Sequence, residues 1–524
     1  MATASTGLRR WGSGMSSRSA THAFVSSDPI DDRARQLARM SAASAQSRPA
    51  LPSIDFSSIR PRPRWRELWL LLLVGIALSV GSVSLGATER VQAGKALSFS
   101  PAQSQPLLAY LGALLLANLA QVLAGRRTDQ VLLPAVGLLG GISLLLMERL
   151  PQNLVSQSIG GMTLGLGQVQ LLWLLLAVAI ITVLAIVVRS DAWLRLYKYT
   201  WAAVGIALLV LTFVRGEDVN GARLVLRLGP LSGQPTELLK VIVVVFLAGY
   251  LSEFRPLLVE QDSRIGPLRL PPVPYLAPMV GMVAIALGIV VFQRDLGAAL
   301  LFFLVFLLLL YVATARSAYV ILGLLLFVAG SYLMYRLFPV VQSRVDVWID
   351  PFRDASGSGY QIVQALHAFA RGGILGTGLG AGLPMVGGRP PIPEVHTDFP
   401  FAALGEELGL VGVLAILGVY LVVIERGLRI AAAAADDFRA LLAAGLALVV
   451  GVQAFIIAAG NLKLVPLTGI TLPLISYGGS SILANAVVVG LLLALSDKGV
   501  EPPPPPRVGG RLAGLRSRLV QSGR

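Results

Sequence analysis

His396, Thr397 and Asp398 stand in a row where a polar, proline-rich loop runs into a long apolar segment, PIPEVHTDFPFAALGEELGLVG over 391–412. A carboxylate at such a junction can take a proton from a hydroxyl, and Asp398 is the first candidate for that chemistry. Asp and Thr also cap helices there, and from position alone capping is the commoner role for Asp398 or Thr397. Glu406 and Glu407 lie just inside the apolar run, where a charged side chain requires a partner or a wet cavity. A second stretch, NGARLVLRLGPLSGQPTELLK over 220–240, carries Arg223 and Arg227, cationic groups suited to a diphosphate. Pro235 and Thr236 suit a helix start, and Glu237 and Lys240, three residues apart, share one helical face and can pair. A snorkelling lysine in an interfacial ion pair is an equal reading of that stretch alone.

Three other segments matter for position. Gln293, Arg294 and Asp295 make a tight helical hairpin with Asp295 as the cap of the next helix. Residues 360–371 of DPFRDASGSGYQIVQALHAFARGGILGTGLG form an amphipathic helix, followed by a glycine-rich run that lets the backbone turn closely. In LTGITLPLISYGGSS (467–481), Gly478 and Gly479 beside Tyr477 permit close backbone approach or an unwound helix end, tight packing being the commoner role.

The elements that position these groups are membrane helices. With 55% hydrophobic and 14% charged residues in 524, the chain has more apolar surface than a soluble fold could bury, so an all-α, multi-pass bundle is expected. Twelve apolar segments are expected near 66–86, 106–124, 131–149, 169–188, 199–214, 238–252, 276–293, 296–313, 317–337, 400–425, 440–460 and 478–496. The absence of cysteine removes disulfides and thiolate metal sites, and three histidines argue against a His-based zinc site. The net charge of +15 does not call for nucleic acid, because the arginines sit in tails and short loops, where membrane topology requires them. Arg126 and Arg127, then Arg189, Arg195 and Lys198, then Arg426, Arg429 and Arg439 place both termini in the cytoplasm and the loops 215–237, 338–399 and 461–477 outside. No signal peptide precedes the first apolar run. Residues 1–64 read as a disordered basic tail, 65–130 as two N-terminal spans, 131–497 as the main membrane domain and 498–524 as a disordered Pro/Arg-rich tail.

HTDFPFAALGEELGLVG, QPTELLK, QRDLG, DPFRD..G.GYQIVQ and LPLISYGGSS occur in an order and spacing that resembles the FtsW/RodA/SpoVE (SEDS) family over about 131–497. The resemblance implies a peptidoglycan glycosyltransferase of the bacterial cytoplasmic membrane that polymerises lipid II on the outer face beside a class B penicillin-binding protein, in elongation or division. It implies Asp398 as the catalytic carboxylate, with Gln234, Glu237 and Lys240 lining the same cavity and Arg223 beside them; Arg227, His396, Thr397, Glu406, Ser476 and Tyr477 complete the substrate-binding candidates. Ten spans are usual in that family, so the first two here are an N-terminal addition to a ten-helix core. The chain departs from the pattern at Val225, usually Trp, at Arg294, usually Pro, and at Lys463, usually small. In the implied reaction Asp398 takes the proton of the acceptor hydroxyl, tuned upward by Glu237 and held back by Lys240, while Arg223, Arg227 and Lys240 receive the departing diphosphate. A divalent cation, Mg or Mn, is an added hypothesis with no dedicated site in the sequence. A lipid II flippase and a scaffold that recruits the penicillin-binding protein are the rival readings.

Overall fold

The computed structural model describes residues 61–92, 94, 101–155, 157–159, 162–219, 222–228, 231–260, 263–265, 268–270, 273–382 and 390–497. The expectations for the two tails therefore fall outside the described residues, apart from 61–64. In chain order the helices are α1 (Trp65–Gln92), α2 (Pro101–Leu123), α3 (Leu132–Arg149), α4 (Leu166–Val187), the short α5 (Ala192–Leu196), α6 (Lys198–Arg215), α7 (Pro235–Glu260) and α8 (Val273–Phe292). They continue as α9 (Leu296–Thr314), α10 (Ser317–Leu337), α11 (Pro339–Ile349), α12 (Tyr360–Gly372), α13 (Pro400–Ala432), α14 (Asp437–Asn461) and α15 (Gly479–Leu495). Among the described residues ten helices are long and apolar enough to cross a membrane, and α8 and α15 contribute two shorter apolar helices. The chain is a polytopic membrane helical bundle, and each of the twelve expected apolar segments coincides with one of these helices.

Burial separates the helices by role. α14, rich in Ala and Gly, and α3 are mostly enclosed, because small side chains let neighbouring backbones approach where lipid supplies no hydrophobic drive. α10 is apolar around its circumference and almost wholly exposed, as a lipid-facing helix must be. Three small antiparallel sheets sit in the connections and go beyond the all-helical expectation: β1 (Gln157–Ile159) with β2 (Met162–Leu164), β3 (Glu217–Val219) with β4 (Ala222–Leu228) and β5 (Leu231–Gly233), and β6 (Ser263–Ile265) with β7 (Leu268–Leu270). The signal for the central one was legible in ARLVLRL, whose apolar and basic residues alternate with the period of a strand.

The long connection between α10 and α13 folds as α11, a 3-10 turn at Pro351–Asp354 and the amphipathic α12. Its glycine-rich continuation is inserted into α13, whose helix breaks at Gly409 (φ 66°, ψ −168°). Thr377 and Gly378 donate their N–H groups to the carbonyls of Glu406 and Glu407 at 2.9 and 3.0 Å, while Leu410 and Val411 donate to Gly373 and Ile374 at 3.0 and 3.1 Å. The polar backbone freed by the break is thus paired again, as an apolar surrounding demands. No side chain fits there: a Cβ on Gly376 would lie 2.2 Å from the Glu407 carbonyl oxygen, and one on Gly409 2.3 Å from the Gly376 nitrogen.

A second constraint ties α7, α14 and α15 together. Lys240 is 1% exposed, and its ammonium donates to Glu237 Oε2 (2.7 Å), Gln453 Oε1 (2.9 Å) and Asn485 Oδ1 (3.2 Å). Gln453 Nε2 donates to the Thr471 carbonyl at 2.9 Å and Thr471 Oγ1 to Glu237 Oε1 at 3.3 Å, which closes a ring. A buried ammonium survives only when its donors are satisfied and its charge is paired, and this ring does both.

Gly409→Ala and Gly376→Ala each strain a left-handed position and drive a methyl into backbone, so each is expected to cost ~2–4 kcal/mol and to lower the thermal unfolding midpoint of the purified protein. Gly418→Ala, in the same helix with open space around it, should be neutral or stabilising in the same scan. Lys240→Met should cost about 3–5 kcal/mol by leaving Glu237 unpaired, and adding Glu237→Gln should recover part of that loss; purely additive effects in this double-mutant cycle would contradict the ring.

Candidate functional site

Residues of α4, α7, α9, α11, α14 and the start of α15, with the connections just before α9 and α13 and the loop 468–478, line a cavity of about 460 Å³. Asp398 lines it with Thr397, Glu394, Glu237, Lys240 and Arg344. Asp398 does not cap α13: the cap position is Phe399, which makes no side-chain cap bond, and Pro400 occupies the first turn. The Asp398 backbone is fixed from both sides, its N–H donating to the Glu394 carbonyl at 2.9 Å and its carbonyl accepting from Asn461 Nδ2 at 2.9 Å. Its carboxylate is thereby left to the cavity. A second cavity of about 210 Å³, with Trp348, Ser358, Gln361 and Lys463 in its wall, shares Asp398, Arg344 and Gly469 with the first. Asp398 and Arg344 therefore stand on the boundary between two compartments.

The electrostatics differ from the expectation in their source. Burial pushes the Asp398 carboxyl up to about 6, Glu394 adds to the rise, and a Thr397 hydrogen bond and the Arg344 guanidinium hold it back. Glu394 and Arg344 thus occupy the tuning roles expected of Glu237 and Lys240, whose charges are spent on each other. Lys240, with all three donors engaged in the ring, is not a free cation for a diphosphate. Arg344, in the connecting helix α11, and Arg294, at the α8–α9 hairpin, are the guanidinium groups that line the cavity. Asp295 caps α9 as expected, accepting from the Ala298 N–H at 3.0 Å, and also lines the cavity. Of the family departures, Val225 and Arg294 both reach the cavity wall, and Lys463 donates to the Ile349 carbonyl at 3.2 Å.

The other expected site residues divide into two groups. Gln234 lines the cavity with its backbone N–H donating to Ser480 Oγ at 3.0 Å, and Tyr477 lines it beside Trp173. His396 supports from behind: its carbonyl accepts the Tyr477 N–H at 2.8 Å, its ring lies 5.7 Å from the Tyr477 ring, and burial lowers its pKa, so the ring is neutral at pH 7. Ser476 is buried, with Oγ accepting the Leu472 N–H at 2.8 Å, and holds the loop rather than lining the cavity. Glu406 lies outside the lining in a bidentate pair with Arg371 (2.8 and 3.2 Å), which satisfies the requirement for a partner inside the apolar run. Glu407 meets the same requirement through Arg149 at 3.6 Å and backbone N–H groups of Gly380 and Gly382. Arg227 is 61% exposed in a 3.4 Å pair with Glu217, away from the cavity lining. The side chain of Arg223 lies outside the described residues.

Arg344, Glu394, Trp173 and Gln453 were missed. Gln453 had a signal, an amide in the middle of an apolar helix, where the rule that flags intramembrane polar groups applies. Arg344 had none, because α11 is neither strongly apolar nor near Asp398 in sequence. Among the described residues no group of three or more His, Cys, Asp or Glu is arranged to hold a metal ion.

The model of the FtsW/RodA/SpoVE cell cycle protein family matches residues 130–500. The peptidoglycan glycosyltransferase RodA of Mycobacterium tuberculosis is 39% identical over 445 residues, covering 84% of this chain and 92% of that protein. The probable peptidoglycan glycosyltransferase FtsW of Halomonas elongata is 36% identical over 328 residues, 61% of this chain and 79% of that one. Among solved structures, a chain of a peptidoglycan synthase complex that coordinates polymerization and crosslinking superimposes with a TM-score of 0.56 at 26% identity, over 71% of this chain and 98% of that chain. With a buried-ammonium ring, a raised carboxylate between two compartments and this breadth of similarity, the chain belongs to the FtsW/RodA/SpoVE family.

Proposed function

We propose that this protein polymerises lipid II into glycan strands at the membrane surface, with Asp398 as general base. The observation that carries the reading is the place of Asp398 on the wall between two cavities, one for each sugar substrate. The Asp398 carboxylate takes the proton of the acceptor hydroxyl as its oxygen attacks the donor anomeric carbon. The bond from that carbon to the lipid diphosphate breaks with inversion, and the diphosphate departs toward Arg344 and Arg294. Burial of the carboxylate raises its basicity toward the working pH. A small apolar cleft between α6, α7 and α8 meets the first cavity at Phe302. Among the described residues the cavity carboxylates form no three-member donor cluster, so a divalent cation would depend on substrate oxygens.

The flippase reading needs a polar passage through the bundle, and Leu446, Val449, Val488 and Leu492 fill the centre beyond the Lys240 ring, which favours polymerisation. The similarity to RodA extends over more of the chain than that to FtsW and reaches ahead of residue 130, which supports a role in elongation. By the same resemblance the cavities face outward, both termini are cytoplasmic, and a class B penicillin-binding protein is the partner.

Asp398→Asn should lower polymerisation of lipid II at least ~100-fold in a reconstituted assay with the cognate partner, without loss of thermal stability. The wild-type rate should fall as pH is lowered through about 6, because the base form of a carboxyl with raised pKa is depleted below that value. Arg344→Gln removes a charge that holds the pKa down, so the acidic limb should move to higher pH. Full polymerisation by Asp398→Asn would falsify the assignment.

A further inference from the structure

At the end of α13 and α15 opposite Asp398, a recess of about 1170 Å³ opens between the start of α1, the α2–α3 connection and the α13–α14 turn. Its wall carries Arg66, Arg127, Arg426, Arg429 and Arg439 against two aspartates. Both aspartates are neutralised within the fold. Asp497 accepts from Arg126 Nη1 at 2.6 Å and from the Arg127 backbone N–H at 3.1 Å. Asp129 accepts from Arg426 Nε at 2.9 Å and from the Val131 and Leu132 N–H groups that open α3. Arg429 pairs with Glu425, and Arg439 with Asp191 at 3.1 Å. Arg66 and Arg127 are exposed, and neither side chain has an acidic partner among the described residues. The recess therefore keeps unspent positive charge at fixed positions.

Its depth in the membrane follows from the aromatic residues. Trp65 at the rim and Trp69 one turn further are 64% and 65% exposed on a lipid-facing helix, the position aromatic rings take at the headgroup level. By sequence, 1–60 carries eight arginines against four aspartates, and 498–524 carries six basic residues against one glutamate. Both segments are net basic, so neither supplies the net negative charge that the recess attracts.

We propose that this recess is a binding site for the phosphate-bearing headgroup of an anionic phospholipid, held by Arg66 and Arg127 with Arg426 and Arg429 behind them. Guanidinium groups match phosphate oxygens in pairs, and the Ala432–Ala435 wall leaves room for the glycerol backbone. The site involves none of the residues lining the Asp398 cavities, so it stands independently of the proposed reaction.

The test is native mass spectrometry of the full chain in detergent, titrated with cardiolipin, phosphatidylglycerol, phosphatidylcholine or inorganic phosphate. The anionic lipids should be retained, and phosphatidylcholine and phosphate should not. Arg66→Gln or Arg127→Gln should weaken cardiolipin retention about fivefold, and the double variant about 30-fold, from the worth of one basic residue near anionic lipid. Arg195→Gln, an exposed arginine at the same end of the bundle but outside the recess, should leave it unchanged. Wild-type retention by the double variant overturns the site. An equal loss with Arg195→Gln overturns it as well, by making the attraction a property of the whole face. Competition by inorganic phosphate at equal concentration overturns the lipid as its ligand.

Discussion

The Lys240 ammonium is the point on which the enclosed part of the bundle turns. It lies in an apolar surrounding, where an unpaired charge would cost several kcal/mol, yet it is held by a carboxylate and two amide oxygens from three helices. Such a group specifies position as well as stability, since α7, α14 and α15 can meet in only one register that satisfies all three donors. The loop 462–478 is drawn into the same arrangement through Thr471, which bonds Glu237, Gln453 and Ser481. The floor of the Asp398 cavity is therefore rigid because it is polar and fully paired.

Above that floor the charges are left incompletely compensated. Asp398 is fixed by its backbone on both sides, and its carboxylate, bonded by Thr397, does not cap α13. Its side chain feels burial first, then Glu394 and Arg344, and the balance brings its protonation close to the physiological range. The contrast with Glu406 and Glu407 is instructive. All three carboxylates sit near the start of α13, but Glu406 and Glu407 are tied by arginines and backbone N–H groups. Glu406 and Glu407 are held by the fold around them, whereas Asp398 lines two cavities.

The break in α13 at Gly409 explains how one helix serves both purposes. Its first two turns hold Glu406 and Glu407 against the glycine-rich run, while the remainder crosses the bundle to the arginine-lined recess. A continuous helix would have no free carbonyls for Thr377 and Gly378, and the long connection carrying Arg344 and α12 would lose its anchor.

The membrane class, the twelve apolar segments, the amphipathic helix near 360–371, the Glu237–Lys240 pair and the Asp295 cap were legible in the sequence, because each depends on hydropathy or on neighbours within one helical turn. Candidate residues such as Asp398 and Tyr477 were also legible, since polar groups beside apolar runs are few. Tertiary structure alone decided which charges face one another. Arg344 and Glu394, not Lys240 and Glu237, surround Asp398, and Arg227 turns to Glu217 on the surface. Electrostatic partners depend on distances between segments far apart in the chain, and those distances are fixed only when the helices pack.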